Sequence, residues 1–173
     1  KFHLLGHSMG GMIVQSMAKL FPDKVDKLIC YSTGPIGEMP DRFETIEETR
    51  MSIKKKGLEE TIKECSKTWF LLGEGDKSYK LMIKVASQTN LDAADKSLIA
   101  MKEWNGVKDL KNIKQKTLIL WGDKDRSYNL KQEQILKDNI ESSKLIILPN
   151  CSHNIHLEQP DKFNQIIKHF LIS

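Results

Sequence analysis

Residues 1–11 read KFHLLGHSMGG, and this stretch decides the fold. A short apolar run, Phe2 to Leu5, leads into Gly6-His7-Ser8-Met9-Gly10, and a helical pattern of apolar residues follows from Met12. Apolar run, glycine-flanked turn and helical period together describe a strand that turns sharply into a helix with Ser8 at the tip. A side chain at such a tip sits on strained backbone, so small residues on either side must let strand and helix approach. Gly6 and Gly10 are expected to supply that room. Gly-x-Ser-x-Gly also arises by chance, and its strand-turn-helix setting is what separates this one from an incidental glycine-rich turn.

Working outward, Ile13, Val14, Met17, Ala18, Leu20 and Phe21 continue the helical spacing until Pro22 stops it. Lys27 to Ser32 (KLICYS) reads as a second strand running into the loop Gly34-Pro35-Ile36-Gly37. Strand, helix, strand at this spacing is a right-handed parallel crossover. Thr117 to Trp121 (TLILW) reads as a buried-type strand and Lys144 to Leu148 (KLIIL) as the next strand, separated by a helix over Leu130 to Ile140. Asp161 is expected to cap a last amphipathic helix carrying Phe163, Ile166, Ile167, Phe170 and Leu171. This alternation predicts an α/β fold with a mostly parallel sheet and helices on both faces.

From about Asp41 to Trp104 the texture changes to lysine- and glutamate-rich helical patterns with no convincing strand. Leu58, Ile62, Cys65 and Trp69 share one helical face, Tyr79, Met82, Ile83 and Ala86 a second, and Leu91, Ala94, Leu98 and Met101 a third. The organisation read from these shifts is a core of residues 1–36 and 108–173, interrupted by a helical insertion over 37–107. A strand such as Phe2 to Leu5 belongs in the middle of a sheet covered on both faces. Its place at the start of this chain leads us to expect that N-terminal strands of the fold are absent from the sequence, as in a fragment or processed piece.

Composition bounds the alternatives. Apolar residues make up 39% and charged residues 29% of 173, the balance of a soluble globular chain with one ordinary core. The net charge of +4 comes from scattered lysines, and the densest run, Lys54-Lys55-Lys56, has no interleaved aromatics. It reads as a solvated helix face, so no nucleic-acid partner is expected. Cys30, Cys65 and Cys151 are too widely spaced for a disulfide framework or a zinc site, which favours a reduced, cytoplasmic setting. No apolar run reaches membrane-spanning length, so no membrane partner is expected.

A serine hydroxyl is a weak nucleophile at neutral pH and needs a base to take its proton and a third group to orient that base. In an open parallel sheet, sites form beyond the carboxyl ends of strands. Asp123 and Asp125 follow the strand ending at Trp121, and His153 follows the strand ending at Leu148. The order is therefore nucleophile, acid, base. Chemistry alone does not separate the two aspartates, because either can serve as the acid or as a turn-former bonded to its own backbone. His3, His7, His156 and His169 are less well placed for base chemistry. No pair of histidines shows metal-ligand spacing with a carboxylate between, so neither metal nor cofactor is expected.

The segments GHSMGGMIVQSMAKLFPDKVDKLI, TLILWGDKD and PNCSHNIHLEQPDKFNQIIKHFL together resemble the α/β-hydrolase family over almost the whole chain. The resemblance implies Ser8 as nucleophile, Asp125 rather than Asp123 as acid, and His153 as general base, a role worth roughly 10² to 10⁴ in rate. It places one oxyanion donor on the backbone N–H of Met9 and the second on an earlier loop outside this sequence. On that basis the chain by itself would turn over weakly, since one donor is worth roughly 10² to 10³. His7 resembles the packing residue of the family's Gly-His-Ser elbow. The insertion resembles the family's cap, which sets substrate choice, and Trp69, Phe70, Leu71, Leu72 and Met82 are the apolar residues expected to line a pocket for a small ester.

The activity so implied is that of a serine hydrolase, carboxylesterase-like, acting on small ester-type substrates through an acyl-enzyme. Enol-lactone hydrolases, carbon–carbon hydrolases, haloperoxidases and non-catalytic ligand sensors share the same features. Three departures concern loop shape. Ser127-Tyr128-Asn129 stand where the family often has Val-Pro, Cys151 stands in place of a glycine, and Asn154 follows the base where the carbon–carbon hydrolases carry an aromatic residue.

Overall fold

The computed structural model describes residues 1–38 and 42–173. Four strands, β1 (Phe2–His7), β2 (Val25–Tyr31), β3 (Lys116–Gly122) and β4 (Ser143–Leu148), form one sheet in the order β1-β2-β3-β4, and every pairing is parallel. Parallel neighbours need a crossover between them. These are α1 (Met9–Leu20) between β1 and β2, a long helical excursion between β2 and β3, and α6 (Leu130–Asn139) between β3 and β4. After β4 come the short α7 (Ile155–Glu158) and the closing α8 (Pro160–Ile172).

Because strand side chains alternate between faces, successive residues of one strand build two cores. On β2, Leu28 and Cys30 turn to one face, where they meet Val14 and Ala18 of α1 and Leu136 of α6. Ile29 and Tyr31 turn to the other, against Phe170 of α8, with Leu118 and Leu120 of β3 on the same side and Phe163, Ile166 and Ile167 packed around them. Helices thus cover both faces, as the alternating pattern requires. At the β1 edge, Phe2 and Leu5 remain 44% and 43% exposed.

Between β2 and β3 the described residues form helices joined by turns, with an isolated bridge of Ile36 to Asn105 and no strand, and residues 39–41, within the expected insertion, lie outside the described residues. This excursion comprises α2 (Ile46–Lys56), α3 (Leu58–Thr68), α4 (Tyr79–Ala86) and α5 (Leu91–Glu103), with 3-10 turns at Gly73–Gly75 and Val107–Asn112. A full capping box starts α2: Thr45 Oγ1 accepts from the Glu48 N–H while the Glu48 carboxylate accepts from the Thr45 N–H. Lys54, Lys55 and Lys56 lie exposed in its last turn, a solvated face as the sequence suggests and a favourable end for cations. The chain leaves and re-enters the core through one neck, where the Gly37 N–H donates to Trp104 O at 3.1 Å and the Gly106 N–H to Pro35 O at 2.8 Å. Across the insertion, Arg50 grips Asp95 with two hydrogen bonds of 2.7 and 3.1 Å, joining α2 to α5. No helix among the described residues is long and apolar enough to cross a membrane.

Two local expectations are corrected. The helix after the serine begins at Met9, because Gly10 and Gly11 hide the apolar period that only becomes visible from Met12. The last helix starts with Gln159 at its N-cap and Pro160 at the first helical position, so Asp161 lies inside the first turn instead of capping it. Proline is favoured there because its missing N–H would have had no intrahelical acceptor.

Candidate active site

Ser8 has φ 55° and ψ −123°, a left-handed backbone that a non-glycine residue holds only where its surroundings force it. The surroundings do so. The Ser8 N–H donates to Tyr31 O at 3.0 Å, Thr33 Oγ1 donates to Ser8 O at 2.7 Å, and the Gly11 N–H donates to the same carbonyl at 2.9 Å. A methyl group on Gly6 would run into the Gly10 backbone and come within 2.6 Å of Val14 Cγ2, and one on Gly11 would overlap the Thr33 side chain, whereas one on Gly10 would meet nothing. The close approaches therefore fall at Gly6 and Gly11, which corrects the expectation for Gly10. At the start of α1 the Met9 N–H has no acceptor from within the helix, so it stands available to a developing negative charge.

Beyond the end of β3, Asp125 reaches His153 in the loop after β4, with Oδ2 2.9 Å from Nδ1. The Asp125 side chain is 0% exposed, and its other oxygen accepts from the N–H groups of Ser127 at 2.7 Å and Tyr128 at 3.2 Å. Asp123, by contrast, is 29% exposed, pairs with Lys124, and accepts from the Asn150 N–H at 2.8 Å. It is a loop former, and of the two aspartates only Asp125 meets the histidine. With Nδ1 committed to Asp125, Nε2 is the imidazole nitrogen left for a second partner. The structure does not close a hydrogen bond between His153 and Ser8, a contact that commonly tightens only when substrate binds.

The two loops that carry Asp125 and His153 are laced together. The Lys124 N–H donates to Cys151 O at 3.0 Å, the Asp123 N–H donates to Leu148 O at 3.1 Å, and Ser152 Oγ lies 3.2 Å from Lys124 O. From the insertion side, the Asn154 N–H donates to Trp69 O at 3.2 Å. Glu158 of α7 bridges both parts, accepting from the Leu71 N–H and the Ser152 N–H at 2.6 Å each. Burial raises its carboxyl above the usual range, and these two donors pull it partly back. Sequence reasoning missed this residue because its partners are backbone groups from distant segments.

His7 stacks on Tyr31 with centroids 4.3 Å apart, and its Nε2 lies 3.0 Å from His153 O. Burial first, then the neighbouring His153 and His156, hold the His7 imidazole well below its usual range, so it is a neutral packing group. Tyr31 Oη donates to His153 O at 3.1 Å and lies 2.9 Å from His156 Nδ1, which fixes the base loop from beneath. His3 sits 3.4 Å from Asp26 near the sheet edge and His169 rides α8, both away from this rim. No group of three or more His, Cys, Asp or Glu that could hold a metal occurs among the described residues. The three cysteines are free, and burial pushes the Cys151 thiol up to about 12, so this residue beside the base loop is an inert filler.

The expected pocket residues divide. Trp69 lies beside the site, its ring centroid 6.2 Å from that of His153. Phe70 is fully buried and packs edge-on against Tyr79, so it belongs to the core of the insertion, and Leu72 is exposed. Met82 is half-buried on α4, which packs against α3 and the Gly73–Gly75 turn. An apolar stripe does not announce which neighbour covers it, and Phe70 is the residue here that turns into the insertion's own core. A groove of about 360 Å³ at the serine end of α1, between α1 and α5, is lined by Met9, Met12, Ile13, Ala100, Met101 and Trp104, with Ser16, Lys96 and Ser97 also in its wall.

Residues 1–166 match the family model described as the alpha/beta hydrolase family. The chain belongs to that family. It is 24% identical over 185 residues to the monoacylglycerol lipase ABHD6 of Rattus norvegicus, covering 99% of this chain and 55% of that protein. It is 27% identical over 180 residues to the 2-hydroxy-6-oxononadienedioate/2-hydroxy-6-oxononatrienedioate hydrolase of Comamonas testosteroni, covering 99% of this chain and 63% of that one. Among solved structures it superposes on the esterase from Exiguobacterium antarcticum with a TM-score of 0.88 at 23% identity, covering 99% of this chain and 66% of the esterase. This alpha/beta hydrolase chain thus spans between about half and two thirds of the length of these relatives, and the parallel sheet with helices on both faces is the fold they share.

Proposed function

We propose that this chain carries the catalytic residues of a serine hydrolase that cleaves small apolar esters through an acyl-enzyme on Ser8. The observation that carries the reading is the buried Asp125–His153 hydrogen bond of 2.9 Å at the same rim as a serine held in left-handed backbone. Asp125 fixes the proton on Nδ1, which leaves Nε2 as the basic nitrogen facing the reaction. Nε2 takes the Ser8 proton as Oγ attacks the ester carbonyl, and the Met9 N–H donates to the oxygen that becomes negative. His153 then passes the proton to the leaving alcohol, and water repeats the sequence to release the acid. No step calls for a metal or a cofactor, and the insertion over 37–107 serves as the cap.

The groove is lined mainly by the apolar side chains of Met9, Met12, Ile13, Ala100, Met101 and Trp104, with Lys96 its one charged residue, and it opens beside the oxyanion donor. It suits a short alkyl acyl group, whose burial contributes about 0.8 kcal/mol for each methylene. In the longest natural chain containing this sequence, kcat/KM for p-nitrophenyl esters is expected to rise severalfold per two carbons from acetate to about hexanoate and then fall. Met101→Trp, which fills the groove, is expected to move the optimum to acetate. A flat profile unaffected by Met101→Trp would remove the acyl-groove assignment. Esters hydrolysed at equal rates by the Ser8→Ala variant would remove the enzymatic reading.

A further inference from the structure

Tyr128 touches all three members of the proposed triad. Its N–H donates to Asp125 Oδ1 at 3.2 Å. Its ring lies nearly parallel to the His153 imidazole, 11° apart in plane with centroids separated by 5.8 Å. Its hydroxyl lies beside the Ser8 side chain. The residue is only 2% exposed, packed against Met12 with Met9, Met101 and Trp104 around it, and its carbonyl accepts from Trp121 Nε1 at 2.9 Å. Backbone and ring are thus fixed from several sides. The hydroxyl oxygen is buried without a well-formed hydrogen bond; the Ser8 side chain is the polar group that acts on it most strongly, with the charges of Arg42, Asp125 and Glu133 acting more weakly.

A buried hydroxyl left open in this way costs stability, so its retention calls for an explanation. We infer that Tyr128 is a positioning residue whose hydroxyl donates a hydrogen bond to Ser8 Oγ, holding the nucleophile toward His153 Nε2. The inference rests on the serine-hydrolase reading. As the Ser8 proton passes to the imidazole, negative charge grows on Oγ, and a fixed neutral donor stabilises it. The same atom is the leaving oxygen when the acyl-enzyme is hydrolysed, so acylation and deacylation both benefit. Burial pushes the phenol up to about 12, with the Ser8 side chain drawing it partly down, so it remains a protonated donor across the working pH range. The position is one of those where the sequence departs from the Val-Pro step common in the family, and neither of those side chains could donate.

The test is Tyr128→Phe in the longest natural chain, with Ser8→Ala as reference and Tyr128→Met as a second variant that keeps an apolar filler. The inference expects kcat to fall about tenfold in both Tyr128 variants, one hydrogen bond's worth, with KM within about twofold. Thermal stability should be unchanged or raised in Tyr128→Phe. Fluorophosphonate inactivation should slow by the same factor as kcat. A kcat within twofold of the parent, while Ser8→Ala is dead, would overturn the role of Tyr128 and leave the serine mechanism standing. A loss of kcat that only accompanies a large fall in melting temperature would reduce Tyr128 to a packing residue. If Ser8→Ala retains turnover, the underlying reading fails instead.

Discussion

Asparagine in place of Asp125 is expected to lower kcat for ester cleavage about 10⁴-fold while the protein stays folded. The expectation follows from what each carboxylate oxygen holds. Oδ1 accepts from the N–H groups of Ser127 and Tyr128, and only an oxygen can stay there. The asparagine amide must therefore turn its NH₂ toward His153 Nδ1, where Asp125 Oδ2 now sits at 2.9 Å. Facing a donor, Nδ1 must become the acceptor and the ring proton must move to Nε2. An imidazole with its proton on Nε2 cannot take another from Ser8. Because the backbone donors remain satisfied, the melting temperature should fall little. Asp123→Asn, in the same loop but without a bond to His153, keeps an amide oxygen for the Asn150 N–H and should leave kcat within twofold. Steady-state kinetics and thermal unfolding of both variants check this, and a loss smaller than tenfold in Asp125→Asn would mean that the acid has been misassigned.

The second large effect concerns stability. Glu133 lies on α6 with its side chain fully buried, and neither carboxylate oxygen finds a hydrogen-bond partner. Burial, with the Asp125 charge adding to it, raises its carboxyl well above the ordinary value of 4.5, although the Thr33 backbone opposes the shift. Glu133 is thus protonated in the folded protein at pH values where the unfolded chain has lost that proton. A group whose pKa is raised by folding contributes most below its unfolded value, and that contribution is lost as pH rises through the window up to the folded value. The cost is about 1.4 kcal/mol for each pH unit climbed inside it. Glu133→Gln keeps the shape and removes the titration. Denaturant unfolding between pH 4 and pH 9 should show the variant level with the parent near pH 4 and increasingly more stable above pH 5. Parallel curves would contradict the buried, neutral carboxyl.

How far the sequence carried this account can be judged residue by residue. The four strands and the rim position of Ser8, Asp125 and His153 were legible because each residue terminates or follows an apolar run of strand length, and a parallel sheet sends all such ends to one side. The preference for Asp125 over Asp123 came only from family resemblance, since both lie in one polar loop and the distance to His153 is a tertiary fact. The groove between α1 and α5 was not legible, because Met9 and Met101 belong to separate helical patterns that nothing local ties together. Phe70 and Trp69 are adjacent and equally apolar, yet one fills the insertion and the other faces the base. Nothing in the helical stretch from Leu130 to Ile140 singled out Glu133, and only packing reveals that it is buried. Tyr128 was visible as a departure from a familiar loop, but what it touches depends on three segments meeting.

The central claim is that Ser8 is a nucleophile activated by His153. Treating the longest natural chain with a fluorophosphonate and mapping the modified peptide by mass spectrometry tests it most directly. The account predicts a single adduct on the peptide that contains GHSMGG, at Ser8, with labelling abolished in His153→Ala and in protein unfolded beforehand. Absence of any adduct on Ser8 in the folded protein, or labelling of Ser8 at the same rate without His153, would contradict it.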